Sequence, residues 1–186
     1  MIRSPERKGG RMDRRQRKTR RAIYAAFEEL MTQEHYSRVT VAQIIERADI
    51  GRSTFYAHFE TKDELLASMC AEMFAHVFAD VADDSDAHGG LDAGGLQGKL
   101  AHLLYHVRDA HGGLGAKLLA EGEPHFTSFF SEGLAGLLGG IISKGDAPAD
   151  LLLAMRTSAF CRMVAWWHAN DFATSPEQLA EWYLHA

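Results

Sequence analysis

Cysteine is nearly missing from this chain: Cys70 and Cys161 are the only two in 186 residues, and both sit within apolar helical patterns. Two such thiols do not make the disulfide framework of a small secreted domain, and they fit a reducing cytosol. Long apolar runs are missing too, since Asp, Gly or His interrupts each candidate before it reaches the length of a membrane span. The N-terminus is basic but has no apolar stretch behind it, so it does not read as a secretory signal, and a cytoplasmic location is expected. Strand signals, internal repeats and low-complexity tracts are all but absent. No glycine-rich loop suits a phosphate, and no nucleophile has partners at catalytic spacing. The chain is therefore expected to be no enzyme and to need no cofactor.

What is present is an ordinary composition, 46% hydrophobic and 24% charged, long enough to bury a core as one domain or two small ones. The net charge of −5 hides an asymmetry. Residues 1–62 hold 14 Lys/Arg against 8 Asp/Glu, a net of +6, and residues 63–186 hold 6 against 17, a net of −11. Either these are simply solvated faces, or only the first part meets a polyanion.

Helical periodicity runs through nearly the whole chain and predicts an all-α fold. Residues 1–12, with Pro5, Gly9 and Gly10, read as a disordered basic arm. A helix follows from about Asp13 to Gln33, its Ile23, Phe27, Leu30 and Met31 on one face. Thr40-Val41-Ala42-Gln43 is a capping-box pattern opening a short helix to Ala48. Asp49-Ile50-Gly51 makes a tight turn, and a second short helix spans about Arg52 to Phe59. Thr61-Lys62-Asp63-Glu64 is a further capping box, opening a helix through Val81 that is roughly 30 Å long and so able to link two domains. Residues 83–98 read as a loop, followed by a helix with Leu96, Leu100, Leu103, Leu104 and Val107. A Gly-broken segment leads to Pro124 and a helix through Ile141. After a loop over residues 144–148 comes a long helix through Trp167, then a short one capped by Ser175-Pro176. These readings give the arm at 1–12, a first domain at 13–62 and a second at 63–186.

Two short helices joined by a tight turn form a helix-turn-helix, whose second helix enters the DNA major groove. Phe55 and Phe59, four apart, define the buried face, with Ile44, Ile45, Ala48 and Ile50 beneath them. At about 100° per residue the opposite face centres on Ala57 and includes Ser53 and Thr54, flanked by Arg52, Tyr56 and His58. Ala can touch a thymine methyl, and Ser, Thr and Arg can donate to base edges or phosphates. Thr40 and Lys62 open helices whose N-terminal amides favour an anion; for Thr40, capping and phosphate contact are compatible roles.

The run VTVAQIIERADIGRSTFYAHFETKDELL, Val39 to Leu66, resembles the DNA-binding signature of the TetR/AcrR family, above all in Thr54-Phe55-Tyr56-Ala57-His58-Phe59 followed by Lys62 and Leu65-Leu66. With the helix before it, the match covers about a quarter to a third of the chain. The resemblance implies that Thr40, Gln43, Arg52, Ser53, Thr54, Tyr56, His58 and Lys62 contact operator DNA. Two positions depart from the family pattern, which usually has Gly where Asp49 stands and Ser or Thr where Gly51 stands. Both residues suit their backbone positions, at a small cost in stability. The arm residues Arg11, Arg14, Arg15, Arg17 and Lys18 either reach the DNA or form a solubilising tail.

The C-terminal end, with Trp166-Trp167-His168 and Ser175-Pro176-Glu177, resembles one branch of the same family. That resemblance implies a homodimer through the last two long helices, with Phe160, Met163, Val164, Trp167 and Trp182 at the interface or in ordinary core. A pocket for a small-molecule effector is expected among His102, His106, Phe126, Phe129, Phe130, Met155 and Trp166, although most of these residues read more readily as core. His102 and His106 have the i, i+4 spacing that can share an ion, but His76, His111 and His125 lie at unknown distances, and no Cys or carboxylate completes a pattern. No metal is expected. Gly136, Gly139 and Gly140 permit close helix packing or local flexibility. The function expected is a repressor that binds a palindromic operator as a homodimer and is released by an effector. The alternative is a regulator or co-activator acting through protein contacts.

Overall fold

The computed structural model describes residues 14–78, 95–109, 113–139 and 147–186. The basic arm with Arg11, and Asp13, Val81, His111, Gly140 and Ile141, lie outside the described residues, as does most of the two expected loops. The described residues are helical without a strand, and the chain divides into two compact units between Thr61 and Lys62.

The first unit starts with α1 (Arg14–Gln33), which buries Ile23, Ala26, Phe27, Leu30 and Met31 along one face. That spacing is what drives an otherwise strongly basic segment to fold as a helix against the core. A one-turn 3₁₀ helix (Tyr36–Arg38), unforeseen from the sequence, drops the Tyr36 ring edge-on against Phe27 at 6.2 Å. The helix-turn-helix follows as α2 (Val41–Arg47) and α3 (Arg52–Tyr56).

The second unit holds α4 (Lys62–Phe78), α5 (Leu96–Asp109), α6 (Leu114–Glu121), α7 (Pro124–Leu138), α8 (Ala149–Ala169) and α9 (Pro176–His185). Its principal pairings are α5 with α9, α6 with α8 and α4 with α7. The expected starts of α7 and α9 are in place. Pro124 and Pro176 open their helices, and the Ser175 hydroxyl accepts from the Gln178 amide at 3.3 Å. The segment expected to be broken by glycine is instead the helix α6. Gly113 (φ 79°) and Gly122 (φ 68°) bracket it in left-handed conformation, and Leu114, Leu118 and Leu119 bury its apolar side.

An aromatic column crosses this unit from helix to helix. Phe74 of α4 meets Phe130 of α7 at 5.3 Å, Phe130 meets Phe160 of α8 at 6.2 Å, and Phe160 meets Tyr183 of α9 at 5.1 Å. Each ring contributes burial, and tilted or edge contacts add about 0.5–1.5 kcal/mol per pair beyond it. Among the described glycines, Gly133 is the most tightly packed: an added Cβ would lie 2.3 Å from the Phe74 ring. The tight packing glycine is therefore Gly133 rather than Gly136 or Gly139, whose Cβ positions meet only Phe78 at 3.6 Å and the Ala135 carbonyl at 3.3 Å.

Candidate nucleic-acid interface

The helix-turn-helix is locked by short-range chemistry. The Thr40 hydroxyl accepts from the Gln43 amide at 3.3 Å, and Gln43 Oε1 accepts from the Thr40 amide at 2.8 Å, a complete capping box. Gln43 Nε2 also donates to Glu34 at 3.4 Å, and Arg47 pairs with Glu29 of α1. In the turn, Asp49 takes φ 50°, the left-handed conformation its sequence position demands. The Ile50 amide then donates to the Ile45 carbonyl at 3.3 Å, and Gly51 caps α3 by accepting from the Thr54 and Phe55 amides at 2.9 and 3.2 Å. A Cβ at Gly51 would have only ordinary contacts with Ser53 and Thr54, so a serine cap fits there.

The face division matches the helical wheel. Phe55 and Phe59 are buried with their rings 6.0 Å apart, and Tyr24 of α1 lies 5.9 Å from Phe59. Ile44 is fully buried; Ile45, Ala48 and Ile50 are half-buried. On the other side Arg52, Ser53, Tyr56 and Ala57 are exposed, and Thr54 and His58 are half-buried. The Arg52 guanidinium lies over the Tyr56 ring at 5.7 Å, and Phe55 meets that ring edge-on at 5.5 Å. Both contacts limit the orientations of a side chain that is 45% exposed. Arg14, Arg15, Arg17 and Lys18 are exposed at the start of α1. Lys62, half-buried, is the first residue of α4 and of the second unit.

A family model for bacterial regulatory proteins of the tetR family matches residues 20–69. The crystal structure of a TetR transcriptional regulator from Streptococcus agalactiae 2603V has 32% sequence identity to this chain and a TM-score of 0.69, over 93% of this chain and 95% of that one. The chain belongs to the TetR family. TetR-family proteins are DNA-binding transcription regulators, not enzymes. An uncharacterised HTH-type regulator of Bacillus subtilis strain 168, YxbF, is 37% identical over 71 residues, 36% of this chain and 19% of its own length. DhaS of Lactococcus lactis, the dhaKLM operon transcriptional activator, is 35% identical over 71 residues, 38% of this chain and 36% of its own. These two matches span a minor part of each relative.

In the second unit the structure divides the side chains expected at an interface, in a pocket or in the core between buried and exposed positions. Phe160, Val164 and Trp167 are completely buried within the chain and cannot offer their side chains to a partner; Met163 is half-buried. Trp167 is fixed by its indole N–H donating to the Thr174 carbonyl at 2.8 Å. The outward face of α8 carries Leu151, Met155 and Trp166 instead, and Trp182 is exposed on α9. Of the expected effector-lining set, Phe126 and Phe130 pack ring against ring in the core at 5.8 Å, Phe129 is half-buried, and Met155 and Trp166 face solvent. A cleft of about 450 Å³ opens beside Leu119, Pro124, Thr127, Ser131 and Cys161, and none of the expected lining residues is part of it. Burial pushes the Cys161 thiol up, partly offset by a contact with the Ser131 hydroxyl at 3.7 Å. Among the described residues, no helix is long and apolar enough to cross a membrane.

Proposed function

We infer that this regulator binds a palindromic operator as a homodimer, represses transcription from it, and is released by a small-molecule effector. The observation that carries the reading is the outward face of α3, where Arg52, Ser53 and Tyr56 are exposed while Phe55 is completely buried. Arg52, Ser53, Thr54, Tyr56 and His58 would meet bases and phosphates in the major groove, with Thr40, Gln43 and Lys62 on the backbone. The charge difference between the two parts of the chain supports a polyanion at the first unit alone.

Self-association is supported by the exposed Leu151, Met155 and Trp166 on α8 and Trp182 on α9, large apolar side chains of the kind that anchor interfaces. A two-fold pair doubles the contacts of one recognition helix and sets half-sites about 34 Å apart. An effector in the cleft beside Leu119 and Cys161 would act by favouring one spacing of those helices over another. A second reading, regulation through protein contacts without an effector, draws on the name of the Lactococcus lactis relative as an activator and on the aromatic residues of α7 that fill core. A promoter reporter separates the two: repression relieved by a small molecule supports the first, activation that needs a partner protein the second.

The binding test is fluorescence anisotropy on duplex DNA from upstream of the protein's own gene, at two salt concentrations. Tight, sequence-selective binding that weakens with salt is expected, and Tyr56→Ala should abolish it in a chain that still melts normally. The reading is overturned if neither this DNA nor a library of genomic fragments binds better than random duplex.

A further inference from the structure

Three histidines converge in the second unit from two helices. His102 and His106 lie one turn apart on α5, with their Nε2 atoms 3.0 Å from each other. His76 comes from α4, its ring centroid 5.1 Å from that of His102 and 4.8 Å from that of His106. One nitrogen of each ring lies within 4.8 Å of the others, and no carboxylate or thiol belongs to the group among the described residues. His102 is buried, His106 half-buried and His76 exposed, so the cluster runs from the interior to solvent and an ion could enter without opening the fold.

We propose that His76, His102 and His106 form a binding site for one divalent late first-row transition-metal ion, which ties α4 to α5. Two nitrogens bonded to one zinc at about 2.0–2.1 Å stand about 3.3 Å apart in tetrahedral geometry, and the 3.0 Å pair is close to that spacing. A hydrogen bond between two neutral imidazoles accounts for the His102–His106 pair alone. The His76 ring, edge-on to both, brings a third imidazole from another helix. An all-nitrogen, uncharged ligand set selects zinc, nickel, cobalt or copper and disfavours magnesium and calcium, which prefer oxygen. Three protein ligands also leave a coordination position for water or for a small ligand. His76 is the member that must adjust most, and its exposure leaves it room to do so.

The test uses the full-length chain without a polyhistidine tag, stripped by a chelator and titrated with Zn²⁺ or Ni²⁺ alone against a competing metal indicator. One ion per chain is expected. His76→Ala and His106→Gln should each weaken binding by about 100-fold or more, since loss even of an outer-shell partner costs about 10–100-fold. His185→Ala, an exposed histidine at the C-terminus, should leave it unchanged. Zinc should raise the melting temperature of the wild type but not of His76→Ala, whose exposed position keeps its own folding out of question. Substoichiometric binding, or an affinity untouched by His76→Ala, overturns the proposal. Either result leaves the DNA-binding reading as it stands, because the titration contains no DNA.

Discussion

In the helix-turn-helix the apolar side chains are few and committed: Phe55, Phe59 and Ile44 go inward, and the outward positions of α3 and its C-cap carry Arg, Ser, Tyr and Ala. In α8 of the second unit, both faces are apolar. Phe160, Val164 and Trp167 fill the core while Leu151, Met155 and Trp166 face solvent. A surface meant for a polyanion needs donors and a rigid backing. A surface meant for a second protein needs large apolar side chains that stay exposed until they are covered. On the function proposed above, the two units separate stability from recognition in different ways, and substitutions can measure how complete each separation is.

The largest effects come from emptying the two cores. Phe55→Ala and Phe130→Ala should each cost about 3–5 kcal/mol, measured by denaturant unfolding, because both rings are completely buried. The adjacent Tyr56→Ala should change stability by no more than about 0.5 kcal/mol, since its ring is half in solvent, while removing DNA binding. Equal stability losses at 55 and 56 would break the division of faces on which the interface rests.

Next in size is the contact of α4 with α7. Gly133→Ala places a methyl group inside the van der Waals radius of Phe74 and should destabilise by about 1–3 kcal/mol. Gly136→Ala, whose Cβ meets Phe78 at an ordinary 3.6 Å, should stabilise instead, by up to about 1 kcal/mol of helix propensity. Thermal melts of the two variants should move in opposite directions.

The same contrast explains which parts of the molecule were legible in the sequence. Thr40 with Gln43, the Asp49–Gly51 turn and the Phe55/Phe59 pair are all signals within four residues of each other, and the structure reproduces each one. The second unit is fixed by contacts distant along the chain. Periodicity could not say which of Trp166 and Trp167 points inward, because α8 is apolar on both sides. Gly113 and Gly122 punctuate a helix without breaking it, a distinction that lies in their positive φ. His76 reaches its partners from another helix, so local spacing announced only the His102–His106 pair. Asp49 offers a smaller test of the local rules. Asp49→Gly should raise stability by about 0.5 kcal/mol, the left-handed penalty of about 1 kcal/mol less the greater chain entropy of glycine. It should leave DNA affinity unchanged by anisotropy.

The smallest effect expected is pH-dependent and belongs to the second unit alone. The Tyr105 hydroxyl of α5 donates to Glu177 of α9 at 2.7 Å. Burial pushes the Glu177 carboxyl up, but the Tyr105 hydroxyl, the local backbone amide, the Ser175 hydroxyl and Arg108 outweigh it and hold the group below the ordinary carboxylate range. The same hydrogen bond, with burial second, raises the Tyr105 phenol. A depressed carboxylate contributes stability that is present above its unfolded pKa, near about 4.3, and is lost as pH falls through the lower folded value. A raised phenol contributes stability below about pH 10 that is lost as pH rises through the higher folded value. The stability gap between the wild type and Tyr105→Phe should therefore be flat around neutrality and shrink at both extremes. Comparing the two chains removes the carboxylates they share, so the acid limb of the gap reports Glu177 itself. A gap that does not change with pH would mean that the tyrosine holds α5 to α9 by packing rather than by its hydrogen bond.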